Sequence, residues 1–279
     1  MKRLALSTAA VTAVLTLTLA GSGVARPQAS EIRVAAAMNA AQEVPPPNGS
    51  VSGARGAFTA TVTRSGSGAT MTWQLAFNDL TGPANAAHVH IAPRGQAGGV
   101  AVPLCGPCQS PASGTATIDA NVLQALESGG AYVNVHTPTN AAGEIRGQLA
   151  VTASARTALT ARQEVPRPKG RANRARGVFT ATVTRSGTNG AIAWRLTFSR
   201  LTGRAIAAHV HIGARGRAGG VALPLCGPCR SGVRGTATVN AALLAALEAG
   251  RAYVNIHTRR NPAGEIRGQL PQVPLRITP

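Results

Sequence analysis

The chain repeats itself. Displaced by 121 residues, Gln42–Leu149 aligns with Gln163–Leu270 without a gap, and 70 of the 108 paired positions are identical. Stacked-repeat architectures have periods of about 20–50 residues, so a period this long defines two complete domains rather than turns of a solenoid. The chemistry is duplicated along with the frame. All eight aromatics fall into pairs (Phe58/Phe179, Trp73/Trp194, Phe77/Phe198, Tyr132/Tyr253), and all four cysteines and all six histidines do the same. The expected domains are 31–151 and 152–273, joined near Val151–Ala155 with little room for a flexible linker.

With 279 residues, each copy is large enough to bury a core of its own. The local pattern is that of strands. Ala57–Arg64 and Ala69–Phe77 are Thr/Val/aromatic runs of period-two character, separated by Ser65-Gly66-Ser67-Gly68. Further short strands are expected at Ala87–Ile91, Val100–Leu104, Gly114–Ile118, Ala131–Thr137 and Glu144–Val151, with Gly, Pro and Asn between them. One segment, Ala120–Ser128, reads as a helix, and Gly129 supplies its stop. Many short strands with one short helix indicate an all-β domain, a sandwich or flattened barrel. With so few aromatics, its core must be mostly Val, Leu, Ile and Ala.

The N-terminus has the layout of a secretory signal peptide over residues 1–25. Lys2 and Arg3 precede an apolar run, Leu4–Ala20, and small residues follow through Ala25, with cleavage expected after Ala20 or Ala25. The run is short for a membrane anchor, which needs about 20 apolar residues. No other segment is apolar enough to span a membrane, so the mature chain is expected outside the cytoplasm, secreted or periplasmic. Charge is unevenly placed. Residues 1–150 hold 8 Lys/Arg against 6 Asp/Glu and residues 151–279 hold 20 against 3, so the second half carries +17 of the formal +19. Lys169, Arg171, Arg174 and Arg176 share one loop and Arg259–Arg260 another. An acidic partner follows, such as an envelope polymer, anionic lipid head groups or a polysaccharide. Nucleic acid fits poorly, because no aromatic-rich basic surface accompanies the charge.

Three segments in each copy carry possible chemistry: AAHVHI (Ala86–Ile91), LCGPC (Leu104–Cys108), and YVNVHT with GEIRGQL (Tyr132–Thr137, Gly143–Leu149). On a strand, residues i and i+2 lie on one face about 6.5–7 Å apart. His88 and His90 therefore share a face, and in Tyr132–His136 the third histidine lies opposite the valines that suit a core. If the valines point inward, His88, His90 and His136 converge on the outer face, as do His209, His211 and His257. Three imidazoles so placed can ligate copper or zinc, one ion per domain, with ring nitrogens about 3–4.5 Å apart around bonds of ~2 Å. The alternative is a structural cluster in which the rings bond loop carbonyls. Arg146 and Arg267, in the two GEIRGQL segments, could guide an anion to such a metal. The reading the sequence favours is an ion pair with the neighbouring glutamate or caps to loop carbonyls. Cys105/Cys108 and Cys226/Cys229 are C-x-x-C pairs, and in an exported chain a local disulfide in each copy is the leading reading. Thiolates binding Cu(I) remain the alternative. CGPC also occurs at thioredoxin active sites, but there it opens a helix in a βαβ context, which is lacking here.

The opening Gln-Glu-Val-Pro at Gln42–Pro45 and Gln163–Pro166, the AHVHI strand, and G-x-A-Y-V-N-[VI]-H-T-x-x-N-x-A-G-E-I-R-G-Q-L together resemble the CHRD domain, over essentially both halves of the mature chain. CHRD domains occur in chordin and in bacterial exported proteins. The family is in turn similar to copper/zinc superoxide dismutase, an Ig-like β-barrel enzyme. That resemblance implies two tandem Ig-like, superoxide-dismutase-like sandwiches, a copper site at His88, His90 and His136, and Arg146 beside it. The departures are equally clear. Between His90 and His136 there is no histidine, and the only acids are Asp119 and Glu127, so the dismutase's zinc site and bridging histidine are missing. The expected function is a non-enzymatic binding or structural module, with a copper-dependent, dismutase-like redox enzyme as the alternative. N-terminal sequencing of exported protein should place the mature start between Gly21 and Glu31; an intact Met1 on a membrane-bound species would contradict the export reading.

Overall fold

The computed structural model describes residues 31–277, so the signal-peptide reading of residues 1–25 lies outside them. The first copy runs β1 (Glu31–Asn39), β2 (Arg55–Ser65), β3 (Gly68–Asn78), β4 (Ala86–Ile91), β5 (Val100–Cys105), β6 (Ala112–Ile118), α1 (Ala120–Ser128), β7 (Ala131–His136) and β8 (Ile145–Gln148). The second runs β9 (Ala150–Thr160), β10 (Arg176–Ser186), β11 (Asn189–Ser199), β12 (Ala205–Ile212), β13 (Val221–Cys226), β14 (Val233–Val239), α2 (Ala241–Glu248), β15 (Ala252–Thr258) and β16 (Ile266–Gln269). Every pairing is antiparallel, in the order β5-β4-β7-β8-β1-β2-β3-β6 for the first copy and its equivalent for the second. The all-β fold expected from the repeat is therefore the one observed.

Alternation explains the core. On β2, Phe58, Ala60 and Val62 turn inward, and on β3, Ala69, Met71, Trp73 and Leu75 do. They meet Val89 of β4 and Val133 and Val135 of β7 in one apolar cluster. The two halves of the sheet approach closely enough that a Cβ on Gly56 would lie 2.9 Å from Ile145 Cδ1 of β8. The β2–β3 hairpin closes on Gly66-Ser67, with Gly66 at φ 60°. A positive φ there suits the primed turns whose twist matches paired strands. Helix α1 starts at Asp119, whose carboxylate accepts from Val122 N at 2.9 Å, and stops at Gly129 in the left-handed conformation. That is the stop expected from the sequence.

One strand went unread in the sequence. β1 alternates cleanly, with Ile32, Val34, Ala36 and Met38 inward, but three of its nine residues are alanine, which has little strand preference of its own. Tertiary pairing with β2 decides the matter.

The junction is not a linker at all. Val151 and Thr152 of β9 pair with Val34 and Arg33 of β1 and also with Arg185 and Thr184 of β10. β9 thus closes the first sheet and opens the second, and the two copies form one continuous ladder. At the far end nothing repeats this arrangement. Pro271 and Pro274 remove backbone donors, and the tail instead buries Val273, Leu275 and Ile277, four residues beyond the expected boundary at 273. Ile277 N donates to Glu127 Oε1 of the first copy at 2.7 Å, which ties the tail to α1.

Candidate metal centre

The histidines converge as strand parity requires. β4 pairs with β7 so that His88 faces Asn134 and His90 faces Tyr132, while Ala86 faces His136. All of these lie on one face, opposite Val89, Val133 and Val135. His88 Nδ1 and His136 Nε2 are 3.1 Å apart, and one ring nitrogen from each of the three histidines lies within 4.8 Å of the others. The second copy repeats this, with His209 Nδ1 and His257 Nε2 3.0 Å apart.

The cluster is less open than an outer face suggests. The 92–99 and 137–144 loops fold over it, so His90 and His136 are buried and only His88 is half-exposed. The loops also orient the rings. His90 Nδ1 is 2.9 Å from Gly98 O, and His136 Nδ1 is 3.0 Å from Ala141 O. A carbonyl only accepts, so both Nδ1 atoms carry the proton and both Nε2 atoms are bare. His136 Nε2 accepts from His88 Nδ1, whereas His90 Nε2 is buried with no partner at hydrogen-bond distance, as is His211 Nε2, although the Asn134 side chain lies near enough to His90 to oppose the lowering of its pKa. Burial first, then the neighbouring imidazoles, pushes the pKa of His88 down; burial, opposed by the Ala141 carbonyl, does so for His136. Neutral imidazoles are what a metal requires; the Nε2 atoms of His90 and His136 are bare, while His88 turns a protonated Nδ1 toward His136.

Arg146 lies one layer away. Its Cζ sits 3.4 Å above the Tyr132 ring, and Tyr132 in turn stacks on His90, with centroids 4.9 Å apart and planes 8° apart. The guanidinium is 1% exposed and donates to Gln96 O at 2.7 Å, to Pro93 O at 3.2 Å and to Gln148 Oε1 at 3.2 Å. It caps the carbonyls of the loop that supplies Gly98. Arg267 does the same in the second copy, so both arginines are buried, covered by an aromatic ring and engaged with loop carbonyls. An ion pair with Glu144 is not formed. That carboxylate accepts instead from Thr81 N, Thr137 Oγ1 and Asn140 Nδ2.

Glu43 is the residue that sequence reasoning passed over. It lies in the Gln-Glu-Val-Pro motif, quoted above as a family feature without a role, and its exact duplication as Glu164 was the available signal. The structure buries it beside Asn134 and against Gly143, whose φ of 134° leaves no room for a Cβ next to the carboxylate. Burial raises its pKa to about 7, opposed by the Val44 N–H and by Arg146; Glu164 is raised likewise to about 7. The cysteines lie elsewhere, at the end of β5. Cys105 and Cys108 Sγ are 2.12 Å apart, as are those of Cys226 and Cys229, so each pair is joined locally and no thiolate faces the histidines.

Fold and site together define a tandem all-β protein with one three-histidine cluster in each domain. A family model for the CHRD domain matches residues 34–149 and again residues 155–270. The chain belongs to the CHRD domain family. Neither the curated proteins nor the solved structures contain a match to it.

The buried glutamates set a pH dependence. A carboxyl whose folded pKa exceeds its unfolded value adds stability while protonated; that contribution is complete below about pH 4.5 and is lost as pH rises through about 7. Thermal melts of Glu43→Gln/Glu164→Gln and parent should therefore coincide at pH 4, with the variant becoming the more stable as pH rises to 8. A constant difference across that range would show that the glutamates are not protonated in the fold.

Proposed function

We propose that this protein is an exported, non-enzymatic binding module in which each domain holds one copper ion, between His88, His90 and His136 in the first and His209, His211 and His257 in the second. The observation that carries the reading is the buried, unpartnered Nε2 of His90 and of His211, each aimed into a cluster of imidazoles. A buried polar atom left without a partner costs free energy, and a metal would supply that partner. All-imidazole donor sets suit copper, zinc and nickel, and among first-row divalent ions copper binds most tightly.

Within this site the protein's own groups do the positioning. Gly98 O and Ala141 O hold two rings in the tautomer that leaves Nε2 free, and Tyr132 braces the His90 ring from its flat side. Binding would shift the His88 proton off Nδ1, breaking the hydrogen bond to His136. A bound copper ion would supply a Lewis-acidic centre reachable on the half-exposed His88 side. Two features favour binding over redox turnover. No carboxylate or further histidine joins either cluster among the described residues, and Arg146 is occupied with loop carbonyls. The basic second half is consistent with an acidic envelope polymer or polysaccharide as partner.

Titration of the exported protein with Cu(I), Cu(II) and Zn(II), followed by calorimetry and by electron paramagnetic resonance for Cu(II), should give two copper sites per chain with nitrogen ligation. Removing a ligand should weaken a site by more than the roughly 10–100-fold cost of disturbing an outer partner. His136→Ala and His257→Ala should thus each abolish one site and leave the other. Protein that ignores all three ions would make the clusters structural. Superoxide turnover above that of free copper would instead support the redox reading.

A further inference from the structure

The two copies share a buried centre but not a surface. Beside the turn after β11, the second copy forms an open hollow of about 860 Å³ walled by Gly170, Arg171, Arg174, Arg200, Thr202 and Arg260. A neighbouring hollow of about 640 Å³ shares Arg200 and adds Arg204 and Arg230. Six arginines thus line two adjacent hollows that share Arg200 and Leu201, together an arginine track. The second copy has three carboxylates, and none of them reaches it. Glu164 and Glu265 are buried, and Glu248 is paired with Arg185 and Arg276. None of the six arginines forms a salt bridge among the described residues.

The track is held by a rigid frame. Asn261 Oδ1 accepts from Lys169 N at 2.6 Å, and its Nδ2 donates to Lys169 O at 3.3 Å and to Glu265 Oε2 at 3.2 Å. Glu265 in turn accepts from Thr202 N, so the three segments that carry Arg171, Arg200 and Arg260 are pinned to one another. Arg260 lies flat against Gly170, where a Cβ would come within 2.8 Å of its Cζ. The first copy has the same frame, with Asn140 bonded to Asn48 and to Glu144, and Glu144 accepting from Thr81 N. Its positions for the six arginines are Ser50, Gly53, Asp79, Pro83, Gln109 and Thr139. The frame is common to both copies, and the charge belongs to one.

We propose that this track binds a linear phosphate polymer. Guanidinium forks pair bidentately with phosphate oxygens, and four of them converging on one hollow offer more donors than a carboxylate-per-sugar chain would use. The second hollow, joined at Arg200, gives the site the length of a polymer rather than of a single ion. Only Phe198 could stack a base, so the phosphate chain is recognised without nucleobases. The site is separate from the histidine clusters and does not depend on a metal.

Inorganic polyphosphate is the probe, titrated calorimetrically into the full mature chain with orthophosphate, polygalacturonate and a single-stranded oligodeoxynucleotide of matched charge as the other arms. Arg171→Ser/Arg200→Asn/Arg260→Thr removes three charges; asparagine tolerates the positive φ of 58° at residue 200. It should weaken polyphosphate binding at least about tenfold. The control Arg156→Ala/Arg195→Gln/Arg234→Ser removes three charges from the sheet surface, with the first copy's residues at each position, and should cost less than about threefold. Ser50→Arg/Asp79→Arg/Thr139→Arg should raise the stoichiometry from one site to two, and binding should fall with salt. Equal losses from both triple variants, or no gain from the graft, would reduce the track to net charge. Binding of polygalacturonate or the oligonucleotide as tight as that of polyphosphate would overturn the phosphate assignment.

Discussion

Taking a charged side chain out of water costs roughly several kcal/mol unless partners replace its hydration. Each domain of this protein buries an arginine and a charged glutamate under the same pair of loops, Arg146 with Glu144 and Arg267 with Glu265. The rest of the site follows from how those charges are satisfied. Arg146 needs the carbonyls of Pro93 and Gln96, which fixes the 92–99 loop over β4 and β7. Glu144 needs Thr81, Thr137 and Asn140, which fixes the 137–144 loop and the turn after β3. Those two loops supply Gly98 O and Ala141 O, the carbonyls that orient His90 and His136. The histidine geometry is therefore downstream of a buried polar network.

Arg146 caps loop carbonyls and also braces the cluster. It acts on the cluster through Tyr132, whose ring stands between the guanidinium and His90. A cation over one face of an aromatic ring and an imidazole stacked parallel to it make a column that resists rotation of the His90 ring. This is consistent with the duplication: Arg267, Tyr253 and His211 form the same column, with the same 3.4 Å and with centroids 4.8 Å apart.

Much of this was legible in the sequence, for identifiable reasons. The hairpin β2–β3, the helix α1 with its glycine stop, and the shared face of His88, His90 and His136 all follow from local periodicity, which burial on one side enforces. The alanine-rich β1 was not legible, because its strand character comes from β2 rather than from itself. Nor was the covering of the histidines: parity says which face a side chain takes, but not that a loop closes over that face. Glu43 escaped because a glutamate beside prolines reads as loop surface; only its long-range contact with Asn134 and Gly143 buries it. The arginine track was half-read, since two of its loops were visible as basic runs while Arg200, Arg204 and Arg230 come from other segments.

The two copies differ in their exposed charge and share the buried polar groups of the site, and the clusters lie among those shared groups. The central claim is that the buried imidazoles are metal ligands and not only a hydrogen-bonded brace. A crystal of the protein grown with copper, with diffraction recorded on both sides of the copper absorption edge, tests it most directly. The account predicts two anomalous peaks per chain, one among His88, His90 and His136 and one among His209, His211 and His257, each in contact with the Nε2 that is otherwise unpartnered. Copper found only at surface sites, with the His88–His136 hydrogen bond intact, would contradict it.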